Sequence, residues 1–355
     1  MQHIKSTGYN IYFNNTGYQV LSQYLNKNKT HTIYILVDSN TDRCCFELLK
    51  NKLKNNFNIQ KIIIPAGEQH KNIFTCKKVW QELTKLNADR KSVLINLGGG
   101  MVTDLGGFVA ATFKRGIKFI NIPTTLLSMV DASVGSKTGV DLDNLKNLIG
   151  LFANPEMVLI DLEYLSTLEK REFNSGLAEI IKYGLTFDAG LLNKVWNLNQ
   201  YTTDVLQKII YNSIQVKNKV VLEDFKETGL RKVLNFGHTI GHAIESFYLE
   251  NESLPTLLHG EAIAIGMVAE AYISHKKYGF DKTVLKQLKN WTINTYGKIP
   301  LDKNHYPVFL SLMQHDKKNE QGTVKYVLLK AVGDFVINTN ANEDLVIKAL
   351  NFYNT

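Results

Sequence analysis

Two histidines four residues apart, His238 and His242 in "LNFGHTIGHAIE" (Leu234–Glu245), share one side of a segment whose apolar residues recur at helical spacing. Such a pair can ligate a divalent ion, or it can consist of core or capping histidines. With nine histidines in 355 residues, chance alone supplies about 0.2 pairs at this spacing, so the spacing leaves both readings open. The glutamate of H-E-x-x-H is missing, which argues against a metalloprotease. Two other residues bear on the question. His259 opens the apolar run "LLHGEAIAIGM", and Glu179 lies in the apolar face of "NSGLAEIIKYG". A carboxylate there is costly to bury unless it is paired or coordinated. Two imidazoles and one carboxylate would hold a zinc ion with positions left open, the arrangement of a catalytic site.

A second chemistry is written in "LINLGGGMVTDLGGFVAATF", which runs from a buried strand through Gly98, Gly99 and Gly100 into a helix. Backbone amides there can face a pyrophosphate, although the pattern departs from G-x-G-x-x-G and also suits a tight structural turn. Asp38 and Asn40 close an earlier strand, with side chains suited to ribose hydroxyls. Thr124, Thr125, Asp131 and Lys137 follow a later one. Ligands of open parallel sheets sit beyond the carboxyl ends of the strands, so these residues point to one crevice that a dinucleotide fits. Lys146, Lys182, Lys217, Arg231 and Lys317 are spread over the helical half or its border. Singly each reads as a solvated or snorkelling cation; together they could hold a phosphate and a carboxylate on one small ligand.

The elements that must position these groups follow from periodicity. "TIYILVDSN", "QKIIIPAGE", "SVLINLGGG", "KFINIPTT" and "EMVLID" are strand-like runs separated by amphipathic segments. They predict a Rossmann-like α/β domain with a parallel sheet over residues 1–163. Beyond it, apolar residues recur every three to four positions, and an all-α domain is expected over residues 164–355. The net charge of +8 could serve nucleic acid or anionic metabolites, but the cations are dispersed and no aromatic-interleaved motif accompanies them. A metabolite enzyme without a nucleic-acid partner is expected. "MQHIKSTGYN" lacks the apolar core of a signal peptide, and no run is apolar for long enough to span a bilayer. These readings predict a cytoplasmic protein with no membrane partner. Cys44, Cys45 and Cys76 form neither a disulfide framework nor a zinc-type pair.

Taken in order, "AGEQHK", "GGGMVTD", "FKRGI", "IPTTLL", "DASVGSKTGV", "KNLIG", "GLAEIIKYG", "GLRKVLNFGHTIGHAIE", "HGEAIAIGM" and "DKK" are spread from Ala66 to Lys318, along most of the chain. The chain thereby resembles the 3-dehydroquinate synthases, sugar phosphate cyclases of the shikimate pathway that leads to chorismate and the aromatic amino acids. The resemblance implies that Glu179, His238 and His259 bind a divalent metal, zinc or cobalt. It implies NAD binding by Asp38, Asn40, Glu68, Lys71, Gly98, Gly99, Gly100, Asp104, Thr124 and Thr125, with Lys137 and Lys146 adjoining. Substrate groups map onto Asp131, Lys137, Lys146, Asn147, Lys182, Lys217, Arg231, Asn235, His242 and Lys317. Arg115 matches a phosphate-binding arginine offered by the neighbouring subunit of a homodimer. The chain departs from the pattern at Ala66, where the family has Asp, at Thr103, where it has Gly, and at Leu145 in "DNLKN", where it has Gly within Pro-x-Gly-Lys-Asn.

The implied reaction converts 3-deoxy-D-arabino-heptulosonate 7-phosphate to 3-dehydroquinate and phosphate. It proceeds by transient oxidation by NAD, phosphate elimination, return of the hydride and intramolecular aldol closure. Metal-dependent alcohol and glycerol dehydrogenases are the nearest rival, but a neutral alcohol gives no reason for five cations to converge. Cyclases making inosose-, valiolone- or amino-dehydroquinate-type products differ by only a few contacts.

Overall fold

A computed structural model describes residues 3–28, 32–53, 57–143, 145–198, 201–251, 253–314 and 324–355. Two compact units divide after Glu169.

The first unit contains strands β1 (Ile4–Lys5), β2 (Asn10–Phe13), β3 (Thr32–Asp38), β4 (Asn58–Ile64), β5 (Val93–Gly98), β6 (Lys118–Pro123), β7 (Lys137–Leu142), β8 (Leu145–Phe152) and β9 (Met157–Ile160). Its helices are α1 (Asn14–Lys27), α2 (Ser39–Cys44), α3 (Phe46–Lys52), α4 (Ile73–Lys85) and α5 (Gly100–Thr112). Seven strands form one sheet in the order β1-β2-β9-β6-β5-β3-β4, parallel except for the β1–β2 pair. β5, "VLINLG", is buried at every position, as a central parallel strand covered on both faces must be, whereas edge strand β4 buries only Ile62 and Ile64. From β3 the chain steps outward to β4 and then returns to the other side of β3 for β5. Strand order therefore reverses between β3 and β5, and the carboxyl ends there are those of Asp38 and Gly98. The antiparallel hairpin β7–β8 lies outside this sheet, with α5 packed against β7. Cys45 and Cys76 are buried, and burial pushes their thiols up to about 11 and 12, which keeps them protonated and unreactive. A turn of 3₁₀ helix at Leu162–Thr167 stays with this unit because Tyr164 shares a buried hydroxyl hydrogen bond of 2.9 Å with Tyr18 of α1.

The second unit is built from α6 (Lys170–Thr186), α7 (Ala189–Trp196), α8 (Thr203–Glu223), α9 (His238–Glu250), α10 (His259–Tyr278), α11 (Lys282–Tyr296), α12 (Tyr306–Gln314) and α13 (Glu343–Asn354). One hairpin, β10 (Tyr326–Ala331) with β11 (Asp334–Thr339), joins the helices. Helix α10, "HGEAIAIGMVAEAYISHKKY", is buried on nearly every side over its first four turns, Glu261 and Glu270 included, and sits in the middle, packed on α6, α9, α11, α13 and β10. No helix among the described residues is long and apolar enough to cross a membrane.

Candidate active site

In the first unit the Gly-rich turn leads from β5 into α5 with no side chain capping the helix start. The first amide groups of a thirteen-residue helix are thus left for an anion. Thr124 and Thr125 lie against this turn: the Thr124 N–H donates to the Gly98 carbonyl at 3.0 Å, and a Cβ on Gly99 would come within 3.1 Å of Thr125. Asp38 reaches the neighbouring strand end, but its carboxylate is engaged as the N-cap of α2, accepting from the Asn40 and Thr41 amides at 2.8 Å. Asn40 is exposed beside it.

Around Lys71 the structure gathers residues that lie far apart in sequence. Its buried ammonium donates to Asp104 Oδ2 at 2.7 Å and to Asn147 Oδ1 at 2.6 Å, and Glu68 Oε1 lies 3.5 Å away. Lys146 reaches the same Glu68 oxygen at 3.9 Å. Burial alone would lower the Lys71 pKa, but Asp104, then Glu68 and Asp141, hold it above the usual lysine range. Asp141 fixes the loop itself: it accepts from the Asn147 amide at 2.6 Å, and its own amide donates to the Lys71 carbonyl at 2.8 Å. Asn147 adopts φ +50 as a result. Burial raises the Asp141 carboxyl above its ordinary value.

Asp131 falls in a single π turn, Ser128–Ala132, whose Ala132 lies beside Gly100. Lys137 is exposed at the start of β7. Arg115 stands exposed on a turn where it and Lys114 both have positive φ, +71 and +51, a strained backbone that presents the guanidinium to solvent.

In the second unit the apolar settings of Glu179, His238 and His259 converge. Glu179 is fully buried on α6; His238 Nε2 lies 3.5 Å and His259 Nε2 3.7 Å from the same oxygen, Oε1. Four-coordinate zinc holds its ligands at about 2.0–2.2 Å, which puts neighbouring ligand atoms about 3.3–3.5 Å apart. The separations of 3.5 and 3.7 Å from Oε1 are close to those of atoms sharing one divalent ion. Lys182 Nζ, one turn on, forms an ion pair with Glu179 Oε2, yet neither Glu179 oxygen accepts a hydrogen bond from the described residues. His238 Nδ1 faces the Phe236 carbonyl at 3.1 Å, which leaves Nε2 for a ligand. One nitrogen each of His238, His242 and His259 also lie within 4.8 Å of one another, so His242 borders the same point. At that border it suits a group that hands protons to a bound molecule. Burial works to lower the His259 pKa, but Glu245 and then Glu179 outweigh it and push it up to about 9.

Helix α6 is fastened to the start of α10 along one face. Arg171 is bidentate to Glu261 at 2.7 and 2.8 Å, and the Gly260 amide donates to Ser175 Oγ at 2.9 Å. Arg171, Ser175 and Glu179 recur every four residues, so the row that fastens the helices also aims the carboxylate. A Cβ on Gly260 would lie 2.0 Å from the Ser175 carbonyl oxygen.

Lys217 on α8 and Arg231 on the turn Leu230–Asn235 are buried, and both elements pack against α6. Asp224 shapes the loop before Arg231 by accepting the amides of Thr228, Gly229 and Arg231; these bonds overcome burial and lower its pKa. Arg231 Nη1 donates to the Phe225 carbonyl at 2.6 Å, and Asn235 donates to Glu227 at 2.7 Å. Lys317 lies outside the described residues. The supporting residues Asp141, Arg171, Asp224, Glu245, Glu261 and Glu270 escaped the sequence reading. Glu245 did carry a signal, since it lies seven residues after His238 on the same face of one helix.

Comparison with known proteins agrees with this architecture. Residues 61–175 match the family model for the 3-dehydroquinate synthase N-terminal region, and residues 176–319 match that for the C-terminal region. A 3-dehydroquinate synthase of Parabacteroides distasonis is 41% identical over 335 residues, 94% of each chain. A 2-deoxy-scyllo-inosose synthase, solved with carbaglucose-6-phosphate, NAD+ and Co2+, has a TM-score of 0.84 at 24% identity, covering 98% of this chain and 99% of its own. A probable glycerol dehydrogenase from Sinorhizobium meliloti has a TM-score of 0.64 at 14% identity, covering 97% and 95%. These two likenesses speak to the fold. With both family models together spanning well over half of the sequence, the chain belongs to the 3-dehydroquinate synthase family.

Proposed function

We propose that this chain converts 3-deoxy-D-arabino-heptulosonate 7-phosphate to 3-dehydroquinate and phosphate, using NAD and a zinc or cobalt ion. The observation that carries the reading is the meeting of His238 Nε2 and His259 Nε2 at one oxygen of a buried carboxylate that accepts no hydrogen bond. Residues 1–163 form the nucleotide-binding domain in this reading, and residues 164–355 the metal- and substrate-binding domain. Asp38, Asn40, Glu68, Lys71, Gly98 to Gly100, Asp104, Thr124 and Thr125 hold the nucleotide. Glu179, His238 and His259 hold the ion.

When bound, NAD accepts and returns a hydride, and the ion acidifies the hydroxyl being oxidised. His242, its ring centroid 5.0 Å from that of His238, takes the hydroxyl proton. Lys137 and Arg115 of a neighbouring subunit in a homodimer neutralise the phosphate as it leaves, Asn147 donates a hydrogen bond to it, and Lys146 adjoins them. Arg231 and Lys217 grip the carboxylate, with Asp131, Lys182, Asn235 and Lys317 completing the substrate contacts. Holding both ends of one chain favours the closing aldol step by proximity. The cytoplasm is the proposed location.

The test is incubation with the heptulosonate phosphate, NAD and zinc. Phosphate release without accumulation of NADH is the expected result. Net NADH formation from an alcohol would transfer the chain to the dehydrogenase reading, and turnover of another sugar phosphate alone would make it a sister cyclase.

A further inference from the structure

Helices α9 and α10 exchange contacts from carboxylates along the faces they turn to each other. His238 and Glu245 are seven residues apart on α9, and His259 and Glu270 are eleven apart on α10, both spacings that return to the same side of a helix. Glu270 Oε2 accepts the Gly237 amide at 2.7 Å and Oε1 the Ile240 amide at 3.3 Å, which fixes the first turn of α9 where His238 sits. In the other direction, Glu245 Oε2 lies 3.3 Å from His259 Nδ1. The two backbones meet closely here: a Cβ on Gly266 would fall 2.0 Å from the Gly237 carbonyl oxygen.

We propose that Glu245 is the positioning residue for His259: it takes the Nδ1 proton, fixes the tautomer and turns Nε2 towards Glu179. This rests on the metal reading given above. The two histidines differ in a way that makes the role specific. His238 is backed by the Phe236 carbonyl, which is held by the chain itself, and its side chain is 11% exposed. His259 is 26% exposed and stands at the first position of its helix, where packing restrains the ring less. A buried carboxylate does for this ring what the carbonyl does for His238, and its charge adds to the basicity of Nε2. Glu245 touches His259 through Nδ1 and stands behind the ring with respect to Glu179, so it acts through the histidine.

The experiment compares zinc affinity of the full chain with that of Glu245→Gln and Glu245→Ala, by competition with a chromophoric chelator. Far-ultraviolet circular dichroism and thermal unfolding of the metal-free proteins establish that each variant is folded. Zinc affinity is expected to fall about tenfold for the Gln variant, which keeps the volume and can still accept a hydrogen bond, and up to about a hundredfold for the Ala variant. Cobalt absorption bands of the Gln variant should shift, reporting an altered imidazole ligand where a purely structural role would leave them unmoved. A folded Gln variant with wild-type zinc affinity and wild-type cobalt bands overturns the proposal, whether or not the Ala variant folds. Wild-type protein that binds no zinc overturns the metal reading itself, a failure distinct from variants that bind as tightly as wild type.

Discussion

Raising the pH of the metal-free protein should remove a stabilising contribution of His259. The imidazole is held up to about 9 in the folded state, against an ordinary value near 6.5 when unfolded. A folded-state pKa above the unfolded one contributes stability that is complete below about pH 6.5 and is lost as the pH climbs through 9. Two to three pH units at about 1.4 kcal/mol each give about 3 kcal/mol. The side chain is 26% exposed, so water screens part of this and roughly 1–3 kcal/mol is the expected loss. For a unit of this size that corresponds to a fall of roughly 3–10 °C in unfolding temperature between pH 6 and pH 9.5.

The assay is thermal unfolding at constant ionic strength in the presence of a chelator, for the wild type and for His259→Gln. Other groups titrate in the same range, so the difference between the two proteins isolates the histidine. Zinc must displace the proton from His259, so its affinity should rise about tenfold per pH unit up to about 9 and then level. Parallel pH dependences for the two proteins, or a zinc affinity that is flat between pH 6.5 and 8.5, would refute the reasoning.

Arg231→Ala should weaken binding of the sugar phosphate about 10- to 100-fold by removing charge-assisted hydrogen bonds, while NAD affinity is unchanged; calorimetric titration with each ligand decides, and unaltered sugar phosphate affinity defeats the carboxylate role. Lys71→Met strands Asp104 and Asn147 around a lost ammonium and should cost about 3–5 kcal/mol, with much of it recovered in Lys71→Met/Asp104→Leu. Urea unfolding checks this, and strictly additive single effects would show the groups to be uncoupled. Gly266→Ala forces a methyl against the Gly237 carbonyl and should cost about 1–3 kcal/mol, while loosening zinc by moving His238; unaltered unfolding temperature and zinc affinity would mean that α9 and α10 part freely.

Strands β3, β4, β5, β6 and β9 were legible because apolar runs in a doubly covered sheet leave a continuous signal. β1 has only two residues, and β2, "NIYF", opens on an asparagine, so neither leaves such a run. The β7–β8 hairpin hides for a different reason: "KTGVDLDNLKNLIGLF" is interrupted by the charged and amide residues that form the Lys71 network, so it reads as a loop. Glu179 stood out as a carboxylate on an otherwise apolar face, and His259 as a histidine opening an apolar helix. Glu261 and Glu270 gave no such sign, because glutamate is ordinary in helices and only the packed neighbours of α10 make these two buried. Asp141 and Asp224 act on backbone amides in loops, an effect of local geometry that residue spacing does not announce.

Four glutamates are buried among the described residues, and their hydrogen bonds separate them by role. Glu261 accepts from Arg171 and from the Leu258 amide, Glu270 accepts two amides at the start of α9, and Glu245 faces His259 Nδ1. Each of these three is occupied in holding one helix to another. Glu179 has an ion pair with Lys182 on its own helix and no hydrogen bond at either oxygen. A buried carboxylate left in that state costs several kcal/mol unless a further cation meets it. The two imidazoles that face it cannot supply that charge and remain neutral ligands at once; in the proposed reading an ion at the point all three share completes the arrangement. Glu179→Gln therefore has two expected consequences that a structural carboxylate would not produce together. Zinc binding should be abolished, because a neutral amide replaces the only anionic ligand, and the metal-free protein should lose about 3–5 kcal/mol as Lys182 is left buried without a partner. A Gln variant that still binds zinc tightly, or that unfolds at the wild-type temperature without metal, would contradict this account of the buried charge.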